Sequence, residues 1–278
     1  MPRITVNGVE LAYDDSGGDK TALVALHGGP GMGNRAGNWH AFGPFRDRFR
    51  VVAYDHRGCG ASGDAPPYSH DQFCDDLEQL RRQLGLGKMV LAGGSYGGML
   101  ALEYALRHQE NLHALVLRDT VANNRFHDVA KQRALASEFP MDEAGLDRLF
   151  AGETTSDDDF RALIRMIMPM YTVEHDPERD TRAVDAMQLH YQTHNWAFGR
   201  NQASYDVTER LREITVPTLI TAGRHDWVTP LEANEEVAAG IPGAELVVFE
   251  HSGHSPQEEE RERWLEVVGA FLDRVVPS

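Results

Sequence analysis

The sequence has little cysteine, no long apolar run and few basic residues, and each shortage excludes a class of protein. Its two cysteines, Cys59 and Cys74, are too few for a disulfide framework and lack metal-ligand spacing. No stretch approaches the ~18 consecutive apolar residues that a membrane-spanning helix needs. Residues 1–15 lack the apolar segment of a secretory signal. We therefore expect a cytoplasmic protein with no membrane contact.

Positive charge is also scarce. The chain carries 27 Lys and Arg against 43 Asp and Glu, a formal net charge of −16. Such a balance disfavours binding to nucleic acid or to anionic membranes, which both attract basic surfaces. The acidic clusters at 157–159 and 258–262 are typical of a solvated surface. We expect a small-molecule substrate as partner, and the composition leaves the oligomeric state open.

Apolar runs alternate with helical patterns along most of the chain. Asn7-Gly8 between alternating residues predicts a hairpin with a type I′ turn. Continuous apolar runs predict buried strands, and helical spacing follows several of them. The predicted strands are 22–26, 50–54, 88–92, 112–117, 218–222 and 245–249, and the last helix is 257–276. This alternation predicts an α/β fold with a mostly parallel sheet flanked by helices.

The pattern changes between residues 121 and 210. Strand-like runs disappear, and polar segments alternate with helical patterns such as residues 160–171. We interpret 121–210 as a helical insertion into one α/β unit, so that residues 1–120 and 211–278 form the core and the insertion forms a cap.

The stretch Gly93-Gly94-Ser95-Tyr96-Gly97 lies between a predicted buried strand and an apolar helix. It matches G-x-S-x-G, the pattern of a nucleophile elbow. Small residues two positions before and after the serine allow the strand and the helix to approach closely. The hydroxyl then projects into the site near the positive N-terminal end of the helix. We predict that Ser95 is a nucleophile.

A serine hydroxyl needs a base, and the base needs an acid to orient it. Asp226 and His254 follow the last two predicted strands, in the chain order Ser…Asp…His typical of this type of site. We predict His254 as base and Asp226 as its acid. His251 is an alternative base, and Asp119 is an alternative acid because it follows the strand that ends at residue 117.

An oxyanion in this chemistry requires backbone donors. The N–H of Tyr96, directly after the nucleophile, is one candidate, and the loop after the first buried strand supplies another. In that loop we favour Gly29, with Gly28 as the alternative, whereas Pro30 has no N–H to donate. The loop matches neither a P-loop nor a complete dinucleotide motif.

Histidines are numerous, but their spacing does not indicate a metal site. Four of those that follow predicted strands are His27, His56, His225 and His251. We expect no metal, and the mechanism that Ser95 implies requires no cofactor.

Five motifs together resemble the α/β-hydrolase fold, and within it the proline iminopeptidase group of serine peptidases and its esterase relatives. The motifs are HGGPG at 27–31, DHRGCGASG at 55–63, GGSYGG at 93–98, GRHD at 223–226 and GHSPQEE at 253–259. The resemblance covers nearly the whole chain, and the insertion falls where the family carries its cap. It implies a catalytic triad of Ser95, Asp226 and His254 and oxyanion donors at Gly29 and Tyr96.

The chain departs from that group where the substrate's amine would bind. Aminopeptidases of the group are expected to hold the free α-amine with carboxylates, one directly after the catalytic aspartate and one in the cap. The matching positions here are Trp227 and Gln202, neither of which is charged. Glu209 or Glu174 could replace them.

We therefore predict a serine hydrolase that cleaves a small ester, lactone or amide through an acyl-enzyme. A proline-type aminopeptidase is the alternative, and a non-hydrolytic binding or lyase member of the fold is a second one. Trp227 and Gln202 would contact the substrate, and apolar residues of the cap would line the pocket. The predicted lining residues are Trp196, Phe198, Met168, Met170 and Tyr171.

Overall fold

The computed structural model of the protein describes residues 1–276, which form one eight-stranded sheet covered by helices. The sheet order is β1-β2-β4-β3-β5-β6-β7-β8. The pairs β1–β2 and β2–β4 are antiparallel and all others are parallel. The strands are β1 (Arg3–Val6), β2 (Val9–Asp15), β3 (Ala22–Leu26), β4 (Arg50–Tyr54), β5 (Met89–Gly94), β6 (Leu112–Arg118), β7 (Thr218–Gly223) and β8 (Glu245–Phe249).

The hairpin between β1 and β2 turns at Asn7 and Gly8, whose φ angles are 45° and 79°. Positive φ at both central residues is the requirement of a type I′ turn, so the predicted turn is confirmed. The six predicted strands are also confirmed, with ends that differ by at most two residues.

Eleven α-helices lie among residues 1–276. They are α1 (Arg35–Ala41), α2 (His70–Gln83), α3 (Tyr96–His108), α4 (His127–Leu135), α5 (Glu143–Ala151), α6 (Asp157–Ile167), α7 (Pro177–Ala186), α8 (Tyr191–Trp196), α9 (Leu231–Gly240), α10 (Pro256–Glu259) and α11 (Arg261–Val275). Short 3₁₀ helices span Gly43–Asp47, Gln109–Asn111, Met168–Met170, Gln202–Ser204 and Thr208–Glu213, and a π-helical turn spans Ala197–Asn201. In this described part no helix is long and apolar enough to cross a membrane.

The parallel strands are apolar on both faces because both faces are covered. Along β3, Val24 and Leu26 pack in one hydrophobic cluster with α2 and α3, whereas Leu23 and Ala25 pack in another with α11. All five residues of β3 are buried. This two-sided burial explains the continuous apolar runs of the sequence and confirms the predicted α/β fold.

Residues 119–217, which connect β6 to β7, are all described and form helices and loops without a strand. We call this segment the insertion. Its helices have a hydrophobic cluster of their own, which includes Phe160 and Ile164 of α6 and also Trp227 from the loop after β7. The division into a core and a cap at residues 121 and 210 stays a prediction.

The C-terminal helix differs from the prediction of one helix over 257–276. It breaks at Glu260, whose backbone is not helical, with φ −122° and ψ 49°. The Glu260 carboxylate accepts hydrogen bonds from the N–H of His251 and the hydroxyl of Ser252. The break therefore places the Glu260 side chain against the loop after β8. Helical periodicity in the sequence gives no sign of this contact.

Candidate active site

Ser95 occupies a strained turn between β5 and α3. Its φ of 55° and ψ of −125° lie in a region that residues with a side chain rarely adopt. The Ser95 N–H donates to the carbonyl of Arg118 over 2.9 Å, and the Ser95 carbonyl accepts from the Thr120 hydroxyl over 2.8 Å. These bonds to the end of β6 hold the turn in place, which is the geometry expected of a nucleophile elbow.

The glycines that flank Ser95 are required by close backbone approach. A β-carbon at Gly93 would lie 2.3 Å from the carbonyl oxygen of Gly97, and one at Gly97 would lie 2.4 Å from the carbonyl oxygen of Leu26. Real β-carbons do not come so close to other atoms. The glycines therefore bring α3 against β3 and β5.

His254 and Asp226 lie together at the carboxyl ends of the neighbouring strands. Nδ1 of His254 lies 2.7 Å from Oδ2 of Asp226, and both side chains are buried. The other carboxylate oxygen of Asp226 accepts from the N–H groups of Val228 and Thr229. The Thr229 hydroxyl donates to Oδ2 over 2.6 Å. The carboxylate is thus held in one orientation, with an imidazole against it.

The pKa values of this pair move in opposite directions. Burial alone raises the pKa of Asp226, but the His254 imidazole and the Thr229 hydrogen bonds outweigh burial and hold it below its usual range. Burial alone lowers the pKa of His254, but the Asp226 carboxylate outweighs burial and raises it. A histidine paired in this way is a stronger base than a free one.

The two alternatives from the sequence lie in different surroundings. His251 is exposed, and its N–H donates to Glu260. Asp119 is buried close to the pair: one ring nitrogen of His254 and one oxygen each of Asp119 and Asp226 all lie within 4.8 Å of one another. The arrangement therefore favours His254 over His251, and it brings both candidate acids together.

The candidate oxyanion donors lie beside Ser95. Tyr96 is the first residue of α3, where the N–H has no partner within the helix. Gly28 and Gly29 line the same cavity as Ser95. A β-carbon at Gly28 would lie 2.8 Å from the β-carbon of Ser95, whereas one at Gly29 would meet Met32 instead. Gly29 and Tyr96 stay our predicted donors, with Gly28 still open.

Ser95 and His254 both face one cavity of about 270 Å³ that lies between the sheet and the insertion. Its walls are mostly apolar. From the insertion they include Phe126, Leu149, Phe150, Ile164, Ile167, Tyr171, Met187 and Phe198. Trp196, Met168 and Met170 are not among the lining residues, and the ring of Trp196 packs instead on Tyr68 and beneath the guanidinium of Arg200.

Among the described residues that line the cavity, none is Asp or Glu. Gln202 and Trp227 are both in the wall. Glu209 and Glu174, the candidate replacements for an amine-binding carboxylate, are exposed and outside it. Arg118 is the one Lys or Arg among the described lining residues, and its Nη1 donates to the carbonyl of His254 over 3.2 Å.

The lining histidines other than His254 add no charge at neutral pH. Burial lowers the pKa of His194 to about 4. Burial also lowers the pKa of His127, whose ring stacks on Phe198. Apart from Arg118 and His254, a substrate in this cavity therefore meets aromatic and aliphatic surface and neutral polar groups.

Two residues that support the site escaped the sequence analysis. Thr229 carries a local signal, since its hydroxyl and N–H return to the aspartate three positions earlier. Glu259 carries none: its carboxylate accepts from the N–H groups of Gly253, beside His254, and Val173 of the insertion. It joins the histidine loop to the insertion, a contact that only the tertiary structure creates.

A metal ion would find one candidate set of ligands in the described chain, namely Asp119, Asp226 and His254. Two of these already satisfy each other, because Oδ2 of Asp226 binds His254 and Thr229. The set fits a hydrogen-bonded acid–base pair with a second carboxyl beside it.

The fold and these motifs define a class of protein. A family model described as the alpha/beta hydrolase fold matches residues 21–261, and the chain belongs to this family. It is 31% identical to a proline iminopeptidase of Pestalotiopsis fici, over 98% of this chain and 99% of the relative. It is 33% identical to a proline iminopeptidase of Saccharolobus solfataricus, over 93% of this chain and 86% of the relative.

An esterase has a similar structure. The solved structure of a thermophilic esterase from Thermogutta terrifontis matches with a TM-score of 0.80 and 27% identity, and the match covers 100% of both chains. The protein is therefore a hydrolase of the α/β fold with both peptidase and esterase relatives. The relatives' names do not choose between these two activities.

Proposed function

We propose that the protein is a serine hydrolase that cleaves small, uncharged esters or lactones through an acyl-enzyme on Ser95. The observation that carries the proposal is the cavity shared by Ser95 and His254, whose described lining contains no acidic side chain. A substrate with a free amine would lose its hydration there and gain no carboxylate in return, which is costly. An uncharged acyl chain suits the apolar wall.

The first half of the proposed mechanism forms the acyl-enzyme. His254 removes the proton from the Ser95 hydroxyl, which attacks the carbonyl carbon. The N–H groups of Gly29 and Tyr96 bind the oxyanion. His254 then donates the proton to the leaving alcohol, and Asp226 stabilises the imidazolium that forms in between.

The second half of the cycle reverses these roles with water as nucleophile. His254 takes a proton from water, which attacks the acyl carbon. The bond from this carbon to the Ser95 oxygen then breaks, His254 returns the proton to that oxygen, and the acid is released. A lactone follows the same steps, except that its leaving alcohol stays attached to the acid. No step requires a cofactor.

The experiment is a comparison of two chromogenic substrates with the purified protein, a short-chain acyl ester and a proline arylamide. We expect turnover of the ester and little or none of the amide. Efficient cleavage of the amide, abolished in Ser95→Ala, would instead support an aminopeptidase like the proline iminopeptidases that the chain resembles. Gln202 or Trp227 would then bind the amine without a carboxylate.

A further inference from the structure

Asp119 is a buried carboxyl that the proposed mechanism does not use. It follows β6 and is 0% exposed. Its φ of 46° lies in the left-handed region, which favours glycine over residues with a side chain. The Asp119 N–H donates to Thr221 and its Oδ1 accepts from the N–H of Gly223, so β7 holds both its backbone and its side chain.

The second carboxyl oxygen of Asp119 has no hydrogen-bond partner within residues 1–276. Nη1 of Arg118 lies 3.8 Å from this oxygen, beyond hydrogen-bond distance. Burial of a polar atom without a partner destabilises the folded state. Packing alone therefore gives no reason for a carboxyl at this position, although its surroundings supply one.

These surroundings are the acid–base pair itself. Asp119, Asp226 and His254 each have one side-chain oxygen or ring nitrogen within 4.8 Å of the other two. Asp226 is reached through the loop after β7, His254 through the loop after β8, and Asp119 directly from the end of β6. Three neighbouring strand ends thus converge on one imidazole.

We infer that Asp119 is a second carboxyl partner of His254, which orients and stabilises the imidazolium when Asp226 cannot. The inference rests on the proposed chemistry of Ser95 and goes beyond it, because that mechanism needs only one acid. Asp119 is a positioning residue in this scheme, since it acts on the substrate only through His254.

Charge explains why Asp226 is the ionised partner of His254 in the native chain and why Asp119 takes this role only when Asp226 is lost. Burial and the neighbouring Asp226 carboxylate raise the pKa of Asp119 to about 7. Asp226 keeps its own charge because His254 and Thr229 stabilise it. Without the charge of Asp226, burial still raises the pKa of Asp119, but the repulsion that adds to this rise is removed. Asp119 then ionises against His254, with Arg118 as the other charge that faces it.

The test is a double-mutant cycle on ester turnover. We expect Asp119→Asn alone to lower kcat less than about 10-fold, and Asp226→Asn alone to cost less than the ~10⁴-fold typical of a triad without a reserve. In the Asp226→Asn background, Asp119→Asn should cost at least about 10-fold more than it does in the native chain. The matched control is Asp180→Asn, at a buried aspartate of the insertion that pairs with His175. It should change kcat by the same factor in the native chain and in the Asp226→Asn variant.

Equal losses from Asp119→Asn in both backgrounds would overturn the inference, as would an Asp226→Asn variant as inactive as Ser95→Ala. Thermal melts of every variant separate these results from misfolding. If Ser95→Ala stays active, the proposed function itself fails. If Ser95→Ala is inactive but Asp119→Asn lowers kcat by the same factor in both backgrounds, only the proposed role of Asp119 fails.

A second readout is one that a purely structural role would leave unchanged. The acid limb of kcat/KM reports the pKa of His254 in the free enzyme. When Asp119→Asn is added to Asp226→Asn, the last carboxylate that faces His254 is lost, so we expect this limb to move to lower pH. The Asp180→Asn control should not move it. A limb that stays at the same pH in the double variant would contradict the inference.

Discussion

The sheet and the insertion are built in different ways, although both form walls of one cavity. All six residues of β5 are buried, whereas α7 of the insertion buries only Asp180 and Val184 among its ten residues. The strands are held by neighbours on two sides and by helices on both faces. The insertion helices pack mainly on one another. The difference suggests that the sheet positions the reacting groups and the insertion selects what reaches them.

Hydrogen bonds join the insertion to the loops at the edge of the sheet. Asn201 of the π-helical turn donates to the hydroxyl of Tyr96 and to the carbonyl of Tyr68. The N–H of His190 donates to the carbonyl of Gly31 in the loop after β3. Both contacts lie beside candidate catalytic groups. A substitution in the insertion can therefore alter the candidate active site while the sheet stays unchanged. The following predictions compare substitutions in the two regions.

The largest effect should come from the sheet. Ser95→Ala removes the proposed nucleophile, and we expect kcat for an ester to fall by ~10⁴-fold or more with an unchanged melting temperature. Ser137→Ala, in the insertion, removes a hydroxyl that bonds only to nearby carbonyls and should leave turnover unchanged. A Ser95→Ala enzyme with near-native kcat would contradict the assignment of the nucleophile.

The elbow should also be intolerant of a single methyl group. Gly97→Ala would place a β-carbon 2.4 Å from the carbonyl oxygen of Leu26, and we expect a loss of roughly 1–3 kcal/mol in unfolding free energy together with most of the activity. Gly37→Ala is the matched control, because its β-carbon would meet nothing within 4 Å in helix α1. That variant should gain up to about 1 kcal/mol. Chemical denaturation measures the unfolding free energy of both variants. Equal changes would show that α3 does not approach β3 closely enough at Gly97 to exclude a methyl group.

Two carboxylates with similarly low pKa values allow a comparison of the insertion with the helices that cover the sheet. Hydrogen bonds from Arg81 lower the pKa of the buried Glu78 to about 2, and hydrogen bonds from Arg148 lower the pKa of the more exposed Asp159 to about 2. A depressed pKa stabilises the fold above the unfolded value and loses this contribution as pH falls through the folded value. At pH 7 we expect Glu78→Gln to cost about 1–2 kcal/mol and Asp159→Asn less than about 1 kcal/mol.

Denaturation at several pH values checks this comparison. The loss in unfolding free energy that each substitution causes should be largest above about pH 4.5, where the unfolded carboxylates are ionised. It should decrease as the pH falls towards 2. A larger cost for Asp159→Asn than for Glu78→Gln would reverse the expected order of the insertion and the helices that cover the sheet, to which Glu78 of α2 belongs.

The smallest effect should be a change of selectivity from the insertion. Phe150 lines the cavity and packs against Phe198 and Trp227. Phe150→Ala enlarges the cavity, and each additional methylene that a longer acyl chain buries is worth about 0.8 kcal/mol, or about fourfold in kcat/KM. Val129→Ala, at an exposed site of the insertion, is the control. Ester series of increasing chain length would reveal the shift, and an unchanged preference would argue against this wall as the acyl pocket.

Much of the fold could be predicted because its signals are local. The turn at Asn7 and Gly8 needs positive φ, and the continuous apolar runs of β3 and β5 indicate strands that are covered on both faces. The turn at Ser95 was foreseeable for the same reason, since its glycines answer a steric need within a few residues. The break at Glu260 was not, because its cause is a contact with His251 and Ser252.

The sequence by itself determined the class of protein, the sheet and the candidate Ser95, Asp226 and His254. Short-range sterics and the alternation of burial leave a readable pattern in the residues that obey them. Only the tertiary structure decided that Trp196 turns away from the cavity and that Glu259 joins the loop before His254 to Val173 of the insertion. Those facts depend on which distant side chains share one space, and the order of residues along the chain does not encode that in any local pattern.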